Sequence, residues 1–343
     1  MQRRTILALI LVLLMPAAAS AQVSTAGVIF LTIEPGARTA GMGGAGTALG
    51  AESGALASFY NPAALALIPG TTLSGMHNKA LPELVDDFYY EFLGGTHSLG
   101  DAGGVGGNIT FYSYGSQTRT DGAGNELGTI NSFDLAASAG YGLELKEKVA
   151  FGAGFKIIYS NLAQAGAEAE LGDGRAWSFA VDAGLLFTDV FPRLDLGVSL
   201  QNLGPDIAYI DRDQADPLPQ SLRLGAAWRA FDVPGNRLIL VYDIYKSLAR
   251  RDSSFLTSLF AGWTDEPFGT ELEQLVHMGG AEFLLADLLA LRAGYFYDQA
   301  GVVNYPTFGL GLHYASYRFD LSHAWAPDKP YAQGTRVSFG LVF

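Results

Sequence analysis

The sequence predicts an all-β protein: a closed antiparallel barrel of 14 strands that spans a membrane, with a small N-terminal hatch in its lumen. Three observations predict it. First, the last ten residues place Val337, Phe339, Leu341 and Phe343 at alternate positions, with small or polar residues mostly between them. A period of two sends alternate side chains to opposite faces of a strand. At the edge of a soluble protein such a strand invites aggregation; in a membrane barrel it is a stave with one face to lipid and one to the lumen. Second, charged residues are 16% of the chain, against roughly 25% in typical soluble domains, and glycine is 43 of 343 against a usual ~7%. Third, mean hydropathy is positive, yet after residue 21 no uncharged apolar stretch reaches the ~18–20 residues of a membrane helix. A large soluble β protein is the other option; the alternation with abundant Gly and Tyr favours the barrel.

Residues 1–21 read as a secretory signal. Arg3 and Arg4 give the positive start, Ile6 to Met15 the apolar run, and Ala19-Ser20-Ala21 the cleavage site. The run is too short to span a bilayer. Removing the signal takes two of 21 basic residues and no acid, so the net charge goes from −13 to −15. That balance argues against nucleic acid as a partner. There is no cysteine, hence no lipid-anchored cysteine and no disulfide framework.

Residues 22–70 are dense in Gly and Ala, with weak alternation only at 28–33. Asn61-Pro62-Ala63-Ala64 reads as a helix start, with Asn61 as cap and Pro62 at the first helical position. The segment is a candidate plug, and Pro35, Gly36, Arg38, Gly41, Gly43, Gly44, Asn61 and Pro62 are its structural or gating candidates. Arg38 is expected to pair with a wall acid such as Asp320 or Asp195, and Asn61 to cap rather than to select.

From residue 71 to 343 the chain breaks into alternating segments separated by turn residues. Val149, Phe151, Ala153, Phe155, Ile157 and Tyr159 share one face, against Gly152, Gly154, Lys156 and Ser160. Leu194, Leu196, Val198 and Leu200 oppose Asp195, Gly197 and Ser199; Leu222, Leu224, Ala226 and Trp228 oppose Arg223 and Gly225. Phe308, Leu310, Leu312 and Tyr314 oppose Gly309, Gly311 and His313; Tyr317, Phe319 and Leu321 oppose Arg318 and Asp320. An Arg or Lys facing lipid at mid-depth costs roughly 2–4 kcal/mol, so Lys156, Asp195, Arg223, Arg292, Arg318 and Asp320 are expected to face the lumen. Tyr159, Trp228 and Trp325 suit interfacial girdles.

The loop lengths set the strand count. Outer-membrane barrels alternate short periplasmic turns with longer outer loops. Short turns are expected near 100–103, 144–147, 188–192, 232–236, Ala286-Asp287 and Ala315; longer connections near 116–129, 163–173, 204–219, 299–302 and 326–333. The two series stay in phase only if 248–273 is one long outer loop, although Ser254 to Trp263 looks strand-like. That gives 14 wall strands, a periplasmic N- and C-terminus, and a final strand descending to pair with the one near 71–78. Val337, Phe339, Leu341 and Phe343 then form the strand that barrel assembly machinery would read.

Little else carries chemistry. Gly41-Met42-Gly43-Gly44-Ala45-Gly46 fits G-x-G-x-x-G, but no strand–helix context surrounds it, so tight packing is the better reading. The five histidines lack metal-ligand spacing, no G-x-S-x-G elbow occurs, and Asp86-Asp87 and Asp211/Asp213 read as solvated loop acids. No catalytic residue, metal or cofactor is expected.

In order along the chain come Pro35-Gly36-Ala37-Arg38, Gly41-Met42-Gly43-Gly44-Ala45, Asn61-Pro62-Ala63, Gln201-Asn202-Leu203-Gly204-Pro205, Leu218-Pro219-Gln220-Ser221-Leu222-Arg223-Leu224-Gly225, Gly280-Ala281-Glu282-Phe283 and Leu291-Arg292-Ala293-Gly294-Tyr295. Together these resemble the PorV/PorQ family, a branch of the FadL-like outer-membrane barrels. The resemblance implies a 14-stranded barrel with a hatch, in the bacterial outer membrane, working with the type IX secretion system. It implies secreted cargo proteins as partners, bound by their carboxyl-terminal signals, and a surface-attachment complex that receives them. The alternative it leaves is a FadL-like channel for uptake of hydrophobic small molecules. The 248–273 loop looks longer than the family's usual one.

Overall fold

The computed structural model describes residues 26–81, 85, 87–120, 123–162, 174–209, 212–251, 254–264, 266–329 and 332–343. The expected signal, 1–21, lies outside them, as do Asp86, Asp211 and the expected connection at 163–173.

The wall strands are β1 (Thr71–Lys79), β2 (Phe88–Ser98), β3 (Gly104–Thr120), β4 (Glu126–Lys146), β5 (Val149–Asn161), β6 (Arg175–Phe191), β7 (Leu194–Leu203), β8 (Ser221–Val233), β9 (Asn236–Ser247), β10 (Val276–Leu285), β11 (Leu289–Asp298), β12 (Val303–Tyr314), β13 (Tyr317–Ala324) and β14 (Gly334–Val342). Each pairs antiparallel with its sequence neighbours, and β14 pairs with β1, closing a barrel of 14. The closure register sets Leu73 opposite Leu341 and His77 opposite Val337. Closure leaves no strand edge, which satisfies every ladder group in a medium that offers no water.

The period-two pattern sorts the side chains. On β5, Phe151, Phe155 and Ile157 are exposed while Lys156, Ile158 and Ser160 are buried. On β12, Phe308, Leu310 and Leu312 are exposed and Thr307 is buried. In a membrane those exposed faces meet lipid.

Six connections at one rim are tight. Ala286 and Asp287 are both left-handed (φ 52° and 53°). Positive φ at consecutive turn residues matches the turn to the right-handed twist of the strands it joins. The chain enters β1 and leaves β14 at this same rim, where Thr71 N–H donates to Phe343 O and Phe343 N–H to Thr71 O. At the opposite rim lie the ends of β1 and β2, of β5 and β6, of β7 and β8 and of β9 and β10, with longer stretches of sequence between them. Short turns place the first rim at the periplasm and the second outside.

Two expectations need correction. The connection expected at 116–129 is shorter, because β3 and β4 continue as a hairpin past the wall to Thr120 and from Glu126. The strand-like stretch 254–263 is helical: Phe255–Ala261 is capped by the Ser254 hydroxyl, which accepts from Thr257 N–H at 3.4 Å. Phe255, Leu256, Leu259 and Phe260 recur at helical, not strand, spacing. Residues 248–275 thus form one outer loop.

Residues 26–70 lie within the barrel. They contain α1 (Ala37–Ala40), α2 (Ala57–Tyr60) and three 3₁₀ stretches at Ile29–Thr32, Gly50–Leu56 and Pro62–Ala66. α1 packs on β12–β14, and the Pro62–Ala66 turn packs on β2–β6 across the lumen. Almost every residue from 35 to 50 is buried.

Candidate functional site: the seated hatch and the cavities above and below it

Glycines let the hatch touch the wall. Gly43 takes a left-handed backbone (φ 76°) and sits against β11, where a Cβ on Gly294 would stand 2.3 Å from Gly43 N. On the far side a Cβ on Gly152 would meet the Pro62 carbonyl carbon at 2.2 Å. Only a residue without Cβ permits such approaches. The G-x-G-x-x-G run is therefore a packing surface: Gly43 N–H donates to Thr307 Oγ1 at 3.0 Å, and Thr307 Oγ1 donates to Gly41 O at 3.1 Å.

Polar groups complete the seating. Arg38 meets Glu282 of β10 by a fork, Nε to Oε2 at 2.9 Å and Nη2 to Oε1 at 2.7 Å. Arg38 also donates to the carbonyl of Glu52, whose own carboxylate lies 2.6 Å from Arg237 of β9. Arg292 of β11 approaches the same Glu282 Oε2 at 2.5 Å and Asp320 of β13 at 2.7 Å. Burial works against the Arg38 charge, but Glu282 and Glu52 outweigh it and hold the guanidinium above its ordinary value. The partner of Arg38 is thus Glu282, and the expectation of Asp320 or Asp195 is corrected. Asp320 is taken by Arg292, and Asp195 lies at the periplasmic rim, 2.6 Å from Arg229.

Asp243 of β9 supplies a second tie. Its Oδ2 accepts from Gly46 N–H, Thr47 N–H and Thr47 Oγ1 at 2.9, 2.9 and 2.7 Å. Ser338 of β14 accepts from Ala37 N–H at 2.8 Å. Asn61 caps as its position suggests, accepting from Ala63 N–H at 3.0 Å, though the helix it opens is the short Pro62–Ala66 turn. Its amide also donates to Thr47 O and Leu185 O. Pro35 O accepts from Thr39 Oγ1, and Gly36 (φ 88°) turns the chain into α1. Gly44 (φ 92°) returns its N–H to Thr39 O.

The remaining wall charges do not converge on one point. Lys156 is buried with Asp182 at 3.2 Å and Asn202 at 2.6 Å. Arg318 donates to the carbonyls of Ala315 and Tyr317 at the periplasmic rim. Arg223 of β8 is 1% exposed and lies 3.2 Å from Glu34, with the Tyr245 and Tyr60 rings at 5.0 and 5.7 Å. Among the described residues its Nε and Nη1 have no hydrogen-bond partner.

Two cavities flank the hatch segment 34–38. The outer one, about 510 Å³, has Ile33, Glu34 and Arg223 at its floor and Tyr112, Tyr245, Met278, Phe296 and Tyr305 on its walls. The Phe296 and Tyr305 rings stack at 5.0 Å, 8° from parallel. Gln333, Gly334 and Leu81 rim it on the outer side. The inner one, about 420 Å³, is lined by Arg38, Glu52, Arg237, His313, Arg318 and Asp320 beside Ile68, Leu73 and Leu341. Glu34 and Arg38 lie on opposite sides of the partition.

The other histidines sit on strand faces. His77 pairs with Glu91 at 2.7 Å, His277 with Tyr242 at 2.6 Å, and His97 and His323 with Thr71 and Thr335. Among the described residues no group of three or more His, Asp or Glu is placed to hold a metal ion. Sequence reasoning gave no role to Glu282, Asp243, Glu34 or Glu52. Two had a signal: Asp243 is a lone acid in the apolar run 238–245, and the turn at 286–287 sets Glu282 opposite Arg292.

A family model described as type IX secretion system protein PorV matches residues 16–251. No curated protein matches the chain significantly. Among solved structures, the Pseudomonas putida toluene transporter TodX shares 15% identity and a TM-score of 0.55, over 90% of this chain and 96% of its own. The Ralstonia pickettii toluene transporter TbuX shares 13% and 0.54, over 90% and 98%. A Pseudomonas aeruginosa FadL homologue shares 12% and 0.50, over 89% and 96%. Identities this low speak for a common fold alone.

Proposed function

The chain belongs to the PorV family of the type IX secretion system, and from that membership we propose that its outward cavity receives the carboxyl-terminal signals of secreted proteins. It is an outer-membrane barrel of that system. The observation that carries the proposal is Arg223. A buried guanidinium with Nε and Nη1 unpartnered stands at the floor of an amphipathic cavity that is open outward and shut below by the hatch. A guanidinium donates charge-assisted bonds to a carboxylate; here Nε and Nη1 can each give one such bond, while Nη2, which both two-bond faces of the group require, is held by Glu34. The aromatic walls offer area to apolar side chains beside that carboxylate. In this reading the ties from Arg38, Asp243 and Ser338 keep the lumen closed while a protein end docks above it, before transfer to an attachment complex.

A second reading is uptake of a hydrophobic small molecule. It is favoured by the stacked Phe296 and Tyr305 in the outer cavity and by the second cavity beneath the hatch. It requires the hatch to leave its ties to the wall.

Cross-linking in native membranes, followed by purification of the barrel, separates the two. Recovery of secreted proteins or secretion components supports the first. Recovery of the barrel alone, together with uptake of an apolar probe into cells, rejects it in favour of the second.

A further inference from the structure

The outer loop 248–275 carries α3 (Phe255–Ala261) and α4 (Phe268–Glu273). It does not stand clear of the barrel. Lys246 of β9 points to the lipid side by strand alternation, since Tyr245 faces the cavity, and Gln220 and Leu248 flank the outer ends of β8 and β9. Yet all three are buried. The loop covers them. Ser258 Oγ donates to Gln220 Oε1 at 2.6 Å, and Lys246 Nζ lies 2.5 Å from both Glu271 Oε2 and Gln274 Oε1. Lys246 also stands 5.9 Å from the Trp263 ring centre, and Gly262 packs against Leu248. Buried polar bonds thus clamp both helices onto the outside of the wall.

The faces turned away from the clamp are apolar. Leu256 and Phe260 on α3 are 60% and 79% exposed; Phe268 and Leu272 on α4 are 78% and 49% exposed. Each pair is spaced i, i+4, one stripe of a helix.

The wall beneath explains where this stripe lies. An aromatic girdle runs along the outer ends of β1–β6, from His77 through Tyr89, Phe111, Phe133 and Tyr159 to Trp177, with successive ring centres 6.3, 5.9, 5.5, 5.9 and 4.4 Å apart. It resumes on β9–β11 with Tyr242, His277 and Tyr297 at 6.1 and 6.2 Å. Between them, β7 and β8 present the paired Leu200 and Leu222. The α3–α4 loop is held on the β8–β9 side of this gap through Gln220 and Lys246, and it brings the Trp263 ring to 5.9 Å from the Lys246 amine.

We infer that α3 and α4 lie in the outer-leaflet interface, and that lipid covers their exposed stripe. Lipid is the occupant because the loop is clamped on the same face of the same strands as the exposed, lipid-facing band of Leu224, Leu240 and Tyr242 and continues it outward. Aromatic and aliphatic side chains on a helix held flat beside a polar clamp are the composition that rests at the headgroup–acyl boundary. The inference holds whichever ligand the cavity takes.

The chain has no cysteine, so single labels are unambiguous. Phe260→Cys, Phe268→Cys and Leu272→Cys, each carrying an environment-sensitive fluorophore, are folded as the full chain into phosphatidylcholine vesicles containing a brominated phosphatidylcholine. Ile157→Cys marks a lipid-facing wall site and Asp213→Cys a water-facing loop site. Heat-modifiability selects folded protein, and three loop positions guard against one that fails to fold. The expected result is blue-shifted emission, quenching by brominated lipid as at Ile157, and protection from aqueous iodide. Labels that behave as at Asp213 overturn the inference. So does protection that appears only in native membranes holding other proteins, which would make the stripe a protein-docking surface.

Discussion

The Arg38 guanidinium and the Glu282 carboxylate face each other in a two-bond fork that ties the hatch to β10, at 2.9 and 2.7 Å. Glu282 also holds Arg292, so one wall carboxylate serves a hatch cation and a wall cation at once. Breaking a buried pair by removing one partner costs about 3–5 kcal/mol. Glu282→Gln is therefore expected to release the hatch while the wall ladder stays closed. Limited proteolysis should cut within 36–60 in the variant and not in the parent, with heat-modifiable barrel retained in both.

Steric contact makes the same seating testable without touching charge. Gly294→Ala places a Cβ 2.3 Å from Gly43 N and from the Met42 carbonyl carbon, where only backbone can give way. The hatch is expected to lose its seat against β11, and the barrel to assemble normally. Hydrogen exchange of the 41–47 amides should rise sharply; unchanged protection there would show that the contact is slack. Gly128→Ala, with nothing among the described residues within 4 Å, serves as a control away from the hatch, though its own φ of 116° strains any side chain locally.

The wall was the legible part of this molecule. Period-two alternation from Val149 to Tyr159 and the alternation of short and long connections suffice for 14 antiparallel strands and for a final strand meeting Thr71–Lys79. Ser254 to Trp263 misleads because a ten-residue run rich in Phe and Leu has the length and composition of a strand, while the helical spacing of 255, 256, 259 and 260 spans too few residues to stand out. The hatch was less legible, since Gly and Ala carry no periodicity and its fold is set by the wall around it. Arg38 announced a buried pair but not its partner. Asp320 and Asp195 lie on inward faces just as Glu282 does, and only the barrel's closure decides which of them reaches α1. Arg223 was readable as an inward charge; that two of its nitrogens lack partners is a property of three-dimensional packing.

Arg223 should matter to ligand rather than to assembly. A hydrogen bond to a charged group contributes about 1.5–3 kcal/mol, and 1.4 kcal/mol is a factor of ten. Arg223→Met is expected to weaken binding of a peptide carrying a cargo carboxyl-terminal signal by about tenfold or more. The same peptide with an amidated end should already be weak on the parent and lose little further on the variant. Isothermal titration in detergent reads both.

The central claim is that a secreted protein's end enters the outer cavity above a closed hatch. A photo-reactive phenylalanine analogue at Tyr305, inside that cavity, tests it in living cells, with Phe308 on the lipid face of the same strand as the comparison. The account predicts that Tyr305 captures secreted proteins through their last residues and that Phe308 does not. No protein adduct at Tyr305 in cells that are actively secreting would contradict it.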